Sequence, residues 1–195
     1  MYNGSKLDER SRLPHTAIAL HELVPGHHFQ INRQWENEAL PRHRREAMYT
    51  AYIEGWGSYS SFLGLEAGLL EDPLDLYGLY ILESFLASRL VVDPGMNYFG
   101  MTLEDGRQFM RDRTLESEAQ IATETLRYSA DNPGQALGYQ MGKWKFLELR
   151  ARAEAALGDR FDIRRFHEAL LENGAHPMTV VESHIDRWIE EEGSP

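Results

Sequence analysis

From Leu13 to Glu191 the chain is a succession of helix-period segments separated by short stops of Pro, Gly and Asn. The best strand signal, Leu90-Val91-Val92, is too short to compete. Leu13 to about Trp35 has helical spacing but is interrupted at Pro25-Gly26. Arg44 to Leu70 reads as one long helix; Gly55 and Gly57 weaken it locally and permit close packing. Asp72 is an N-cap with Pro73 at the first helical position, and the helix it opens is expected to run to Val92 and stop at Asp93-Pro94-Gly95. Thr102, with Asp105 three residues on, opens a helix to about Arg113. Helices are further expected over Glu116–Tyr128, Pro133–Leu157, Asp162–Glu172 and Pro177–Glu191, with Gly158 and Asn173-Gly174 as stops. The expected fold class is all-α, a single helical domain over residues 1–195.

Composition narrows the function classes. There is no cysteine, which excludes a thiolate nucleophile, a disulfide framework and any Cys-ligated metal. Eight histidines remain as candidate ligands. The net charge of −11 disfavours nucleic acid and anionic membranes as partners. No apolar run approaches the roughly 20 residues of a membrane span. The polar start, Met1 to Arg12, shows no secretory signal, so a cytoplasmic location is expected.

The chemistry concentrates in His21-Glu22-Leu23-Val24-Pro25-Gly26-His27-His28-Phe29-Gln30. A zinc hydrolase needs two neutral imidazoles, a third ligand, an open position for water, and a carboxylate to take that water's proton. His21 followed by Glu22 on a helix supplies a first ligand and a base. The usual second ligand stands four residues after the first, but here that position is Pro25. His27 and His28 are the alternatives. On a regular helix His27 lies about 120° from His21, and His28 about 20° away but roughly 10 Å along the axis. The helix cannot be regular, because Pro25 removes a donor and clashes with the preceding turn, and Gly26 adds freedom. A bulge there can return His27 to the metal side.

HELVPGHHFQ looks like the His-Glu-x-x-Pro-Gly-His-His motif of the DUF885 family, a zincin-like group related to gluzincin metallopeptidases. Further blocks follow in that family's order: MYNGSK at the start, YIEGWGSY (Tyr52 to Tyr59), RLVVDPG (Arg89 to Gly95), LRYSADNPGQALGYQMG (Leu126 to Gly142), Glu148 to Leu171, and the tail Pro177 to Trp188. The resemblance implies a zincin-like helical domain with a kinked metal-binding helix. It implies Zn2+ held by His21, His27 and Glu54, with Glu22 as general base and His28 as a neighbour. Glu83 is the runner-up for the third ligand. By similarity to related metallocarboxypeptidases, Tyr139 is the oxyanion donor. Tyr128 is second for that role, and Arg127 is suited to binding a substrate carboxylate. The implied activity is zinc-dependent, carboxypeptidase-like hydrolysis of peptides.

Three positions depart from the family pattern. Leu86 stands where Arg is common, Asn97 where His is common, and Ser61 where an acidic residue is expected. They motivate an alternative, a non-catalytic or degenerate metal- or peptide-binding domain. A third reading makes His21 to Gln30 merely a kinked helix in a scaffold. Because family members are much longer, the chain resembles their C-terminal, metal-bearing portion. A homo-oligomer or a missing N-terminal region is then expected to complete the cleft.

Overall fold

The computed structural model describes residues 11–194. The MYNGSK block and the polar Met1–Arg12 start lie wholly or largely outside that range. All regular structure among the described residues is helical, as the patterning predicts. In chain order the helices are α1 (His15–Glu22), α2 (His27–Glu36), α3 (Arg42–Arg45), α4 (Thr50–Glu66), α5 (Pro73–Asn97), α6 (Leu103–Arg113), α7 (Glu118–Leu126), α8 (Gly138–Leu157), α9 (Ile163–Leu171) and α10 (Met178–Gly193). A π turn (Arg127–Asp131) and a 3-10 turn (Gln135–Leu137) join α7 to α8. None of these helices is long and apolar enough to cross a membrane.

Several boundaries follow from local chemistry. Asp72 accepts from the Leu74 amide with Pro73 at the helix start, and Thr102 and Asp105 form a reciprocal capping box. Gly158, at φ +52°, ends α8. Three expectations need correction. The helix expected from Pro133 begins only at Gly138, because Gly134 stands at φ +82° and the chain first passes through the 3-10 turn. The helix expected from Arg44 to Leu70 is instead α3 and α4. The buried Gln34 side chain donates to the carbonyls of Arg44, Arg45 and Ala47, capturing the acceptors that a continuing helix would use. The stop expected at Asp93-Pro94-Gly95 does not occur, and α5 runs through Pro94 to Asn97. Asp93 there is buried and accepts from the Gly134 amide and the Asn97 side chain. These tertiary bonds outweigh the donor that proline removes.

The chain divides into two compact units, one of residues 1–19 with 64–137 and one of residues 20–63 with 138–195. In the first, α5, α6 and α7 pack around Leu79, Phe85, Val92, Met110 and Ile121. Its polar centre is Arg89, which donates to Tyr128 Oη at 2.9 Å and to Glu124 at 2.9 Å, while the Tyr128 hydroxyl donates to the same carboxylate. The Arg89 guanidinium also lies 4.4 Å over the Phe85 ring.

The second unit is built on Tyr52, Trp56, Tyr59, Phe146, Leu149 and Phe166, with further aliphatic residues of α9 and α10. Here α4 and α8 meet backbone to backbone. A methyl group on Gly142 would fall 1.8 Å from the Ala51 carbonyl oxygen, and one on Gly55 would fall 2.6 Å from the Gly142 Cα. Both obstructions are main chain, so no rotamer change relieves them. Gly142→Ala is therefore expected to destabilise the protein by about 3 kcal/mol or more. Urea denaturation measures it; a midpoint matching the parent would contradict the contact.

Candidate metal centre

The site lies within the second unit. α1 ends at Glu22 and α2 begins at His27, so the break falls at the Pro25-Gly26 step that the sequence marks out. Gln30 N donating to Gly26 O (3.0 Å) opens α2, and Phe29 N donating to Leu23 O (3.3 Å) spans the break. Gly26 is required here, because a Cβ on it would fall 1.9 Å from the His21 carbonyl oxygen. Folding the chain back this tightly brings the imidazoles of His21 and His27 edge to face, 4.6 Å between ring centres.

Glu54 on α4 faces both rings. Its Oε2 lies 3.2 Å from His27 Nε2 and 3.6 Å from His21 Nε2. One nitrogen from each histidine and one oxygen from Glu54 all lie within 4.8 Å of one another, and no other such group of three occurs among the described residues. Burial raises the Glu54 pKa, but the two facing imidazoles pull it down further, to about 2. The carboxylate is thus ionised at neutral pH, as a ligand must be. Gly57, one turn on, seats the His21 ring; a Cβ there would come within 2.6 Å of Nε2. Tyr139, at the start of α8, stacks on the same ring at 5.9 Å with a 21° tilt.

The donor set fits a divalent zinc. Two imidazole nitrogens and one carboxylate make a common three-ligand catalytic set. A tetrahedral ion with bonds near 2.1 Å separates its ligand atoms by about 3.4 Å, close to the 3.2 and 3.6 Å found between Glu54 and the two histidines. One feature differs from a usual zinc site. The Nδ1 atoms of His21 and His27 are buried and have no hydrogen-bond partner among the described residues, where metal-bound histidines ordinarily donate to an acceptor.

The remaining expected residues fall as follows. Glu22 is exposed at the end of α1, next to His21. His28 is exposed and pairs with Asn32, so the fold directs His27, not His28, toward Glu54. Glu83 is on α5 in the first unit and is not in the three-donor group. Arg127 and Tyr128 also belong to the first unit. Arg127 donates to Gln135 Oε1 at 2.8 Å, and Tyr128 is fully buried with its hydroxyl engaged by Arg89 and Glu124. Sequence reasoning noted Arg89 but missed its pairing with Glu124, because the partners are 35 residues apart. Of the three departures, Leu86 and Ser61 are buried, and the Asn97 amide donates to Asp93 and to the Tyr128 carbonyl.

Comparison with known proteins agrees with the block order. A solved structure from Colwellia psychrerythraea, described as a "putative lipoprotein", is 39% identical with a TM-score of 0.94, over 97% of this chain and 32% of that one. A second, from Shewanella oneidensis and described as a "putative lipoprotein of unknown function", is 24% identical with a TM-score of 0.81, over 94% of this chain and 34% of that one. At that identity the second likeness is one of fold alone. The chain therefore spans 32% and 34% of the lengths of these two proteins. Their description as lipoproteins lends no support to the expected cytoplasmic location. No curated protein matches the chain. The profile of one family, described as "Bacterial protein of unknown function", matches residues 1–185, nearly the whole chain. With its HELVPGHH segment and the ordered blocks that follow, the chain belongs to the DUF885 family.

Proposed function

We propose that this chain is the metal-bearing part of a zinc-dependent, gluzincin-type peptide hydrolase with carboxypeptidase-like action. The observation that carries this reading is the convergence of His21, His27 and Glu54 within 4.8 Å, with Tyr139 stacked on the His21 ring. Zinc held by these three residues would polarise a peptide carbonyl and bring the pKa of water down to about 7. Glu22, solvated and adjacent to the first ligand, takes the proton of the attacking water and returns it to the leaving amine. Tyr139 donates its hydroxyl hydrogen to the carbonyl oxygen as negative charge develops there. Arg127, which the resemblance casts as the carboxylate-binding residue, belongs to the first unit and donates to Gln135 there, so it is given no role at the metal. Tyr128, whose hydroxyl is already engaged, holds the turn that carries Arg127.

A second reading is a metal-binding domain without turnover. It is favoured by Asn97, which stands where the resemblance implies a histidine and whose amide is committed to Asp93 and Tyr128.

Elemental analysis together with a peptide-library assay separates the two. The expected result is about one zinc per chain, with hydrolysis that a chelator abolishes and added zinc restores. Zinc without turnover on any peptide would select the second reading. Failure to take up zinc, even from excess, would exclude both.

A further inference from the structure

A single turn of α4, Glu54-Gly55-Trp56-Gly57, touches the candidate metal centre in three ways. Glu54 supplies the carboxylate, and Gly57 seats the His21 ring. These positions are three residues apart and share a face of the helix. Trp56 points away from that face. Its ring is 1% exposed, and its indole N–H donates to the Pro25 carbonyl at 2.8 Å. Pro25 lies in the break between the helix carrying His21 and the helix carrying His27.

A break of this kind is only partly fixed by its own backbone, here by the Phe29–Leu23 bond. Proline contributes no N–H, and the carbonyls at a helix end lack partners within the helix. A contact from outside the break completes its geometry, and with it the separation of the two imidazoles. Trp56 can do so because it is itself immobilised. Its ring packs at 5.6 Å from His167, 5.7 Å from Tyr59 and 6.2 Å from Phe146. The break is thus held at two points on one rigid turn, His21 against Gly57 and the Pro25 carbonyl against Trp56.

We propose that Trp56 is a positioning residue, whose indole N–H acts through the Pro25 carbonyl to set His27 against His21 and Glu54, so that the centre is formed before any metal binds. The part of this that concerns affinity rests on the zinc reading; the part that concerns the break does not.

Trp56→Phe, made in the whole chain, keeps an aromatic ring but removes the donor. Ile185→Val serves as control, since it loosens the same core from α10 and is not one of the rings that immobilise Trp56. In metal-free protein, Trp56→Phe is expected to speed amide hydrogen exchange at Phe29 and Gln30, whose amides are bonded at the break and the start of α2, about fivefold or more relative to the control. Zinc affinity, measured by chelator competition, is expected to fall about 10- to 100-fold in Trp56→Phe and to stay within about twofold in the control. Unchanged exchange and affinity in Trp56→Phe, or an equal loss in the control, would overturn the proposal. If Trp56→Phe fails to fold, the unmodified protein still decides it. The Trp56 indole N–H must exchange slowly by NMR, and exchange at the rate of the exposed Trp35 indole would overturn it. If the unmodified protein takes up no zinc, the function proposed above fails, while the exchange measurement still judges the positioning role.

Discussion

Glu22→Gln is expected to lower peptide hydrolysis by about 10²- to 10⁴-fold while zinc content stays at the level of the unmodified chain. The glutamine is nearly isosteric and cannot accept a proton at neutral pH, so it removes the base and little else. Glu22 is exposed at the end of α1 and its side chain forms no hydrogen bond or ion pair with any described residue, so its replacement leaves no buried partner unsatisfied. Stability is therefore expected to change by less than about 0.5 kcal/mol. The measurement is kcat/KM on the best peptide from the library, with zinc content determined on the same preparation. Hydrolysis that survives intact would remove Glu22 from the mechanism.

The second large effect separates the two neighbouring histidines. His27→Ala is expected to weaken zinc binding by well over about 100-fold, because it removes a ligand and not merely an outer partner. His28→Ala is expected to leave affinity within about twofold, since its ring pairs with Asn32 at the surface. A chelator competition with both variants measures the contrast. Equal losses, or a greater loss for His28→Ala, would mean that a metal-bound form arranges α2 differently from the fold described above.

The contrast shows where sequence reasoning reaches and where it stops. Helical periodicity, the Asp72-Pro73 start, the Thr102–Asp105 capping box and the Gly158 stop are properties of short segments, set by interactions within a few residues. They are legible for that reason. The misplaced boundaries of α3 and α5 arise from side chains that act over longer separations. Gln34 takes the carbonyls that would have prolonged α3, and Asp93 is tied to the Gly134 amide, 41 residues away, at the turn where proline would otherwise end α5.

The candidate site divides along the same line. From the residues alone, Pro25-Gly26 excludes a regular helix and leaves His27 and His28 as alternatives; family resemblance then favours His27 and points to Glu54. The Gly55–Gly142 approach is a property of two helices packed together, as is the stacking of Tyr139 on His21. The Trp56 bond to Pro25 depends on where α4 lies relative to the break.

What the sequence determined by itself is the all-helical class, the broken helix at Pro25-Gly26 and the inventory of imidazoles and carboxylates around it. Those follow from backbone sterics and from side-chain chemistry that travels with each residue. Only the tertiary structure decided that His27 faces Glu54 while His28 faces solvent. A break frees the chain to take several directions, and the direction taken is set by packing against α4, where Gly57 leaves room for one ring and Trp56 supplies one hydrogen bond.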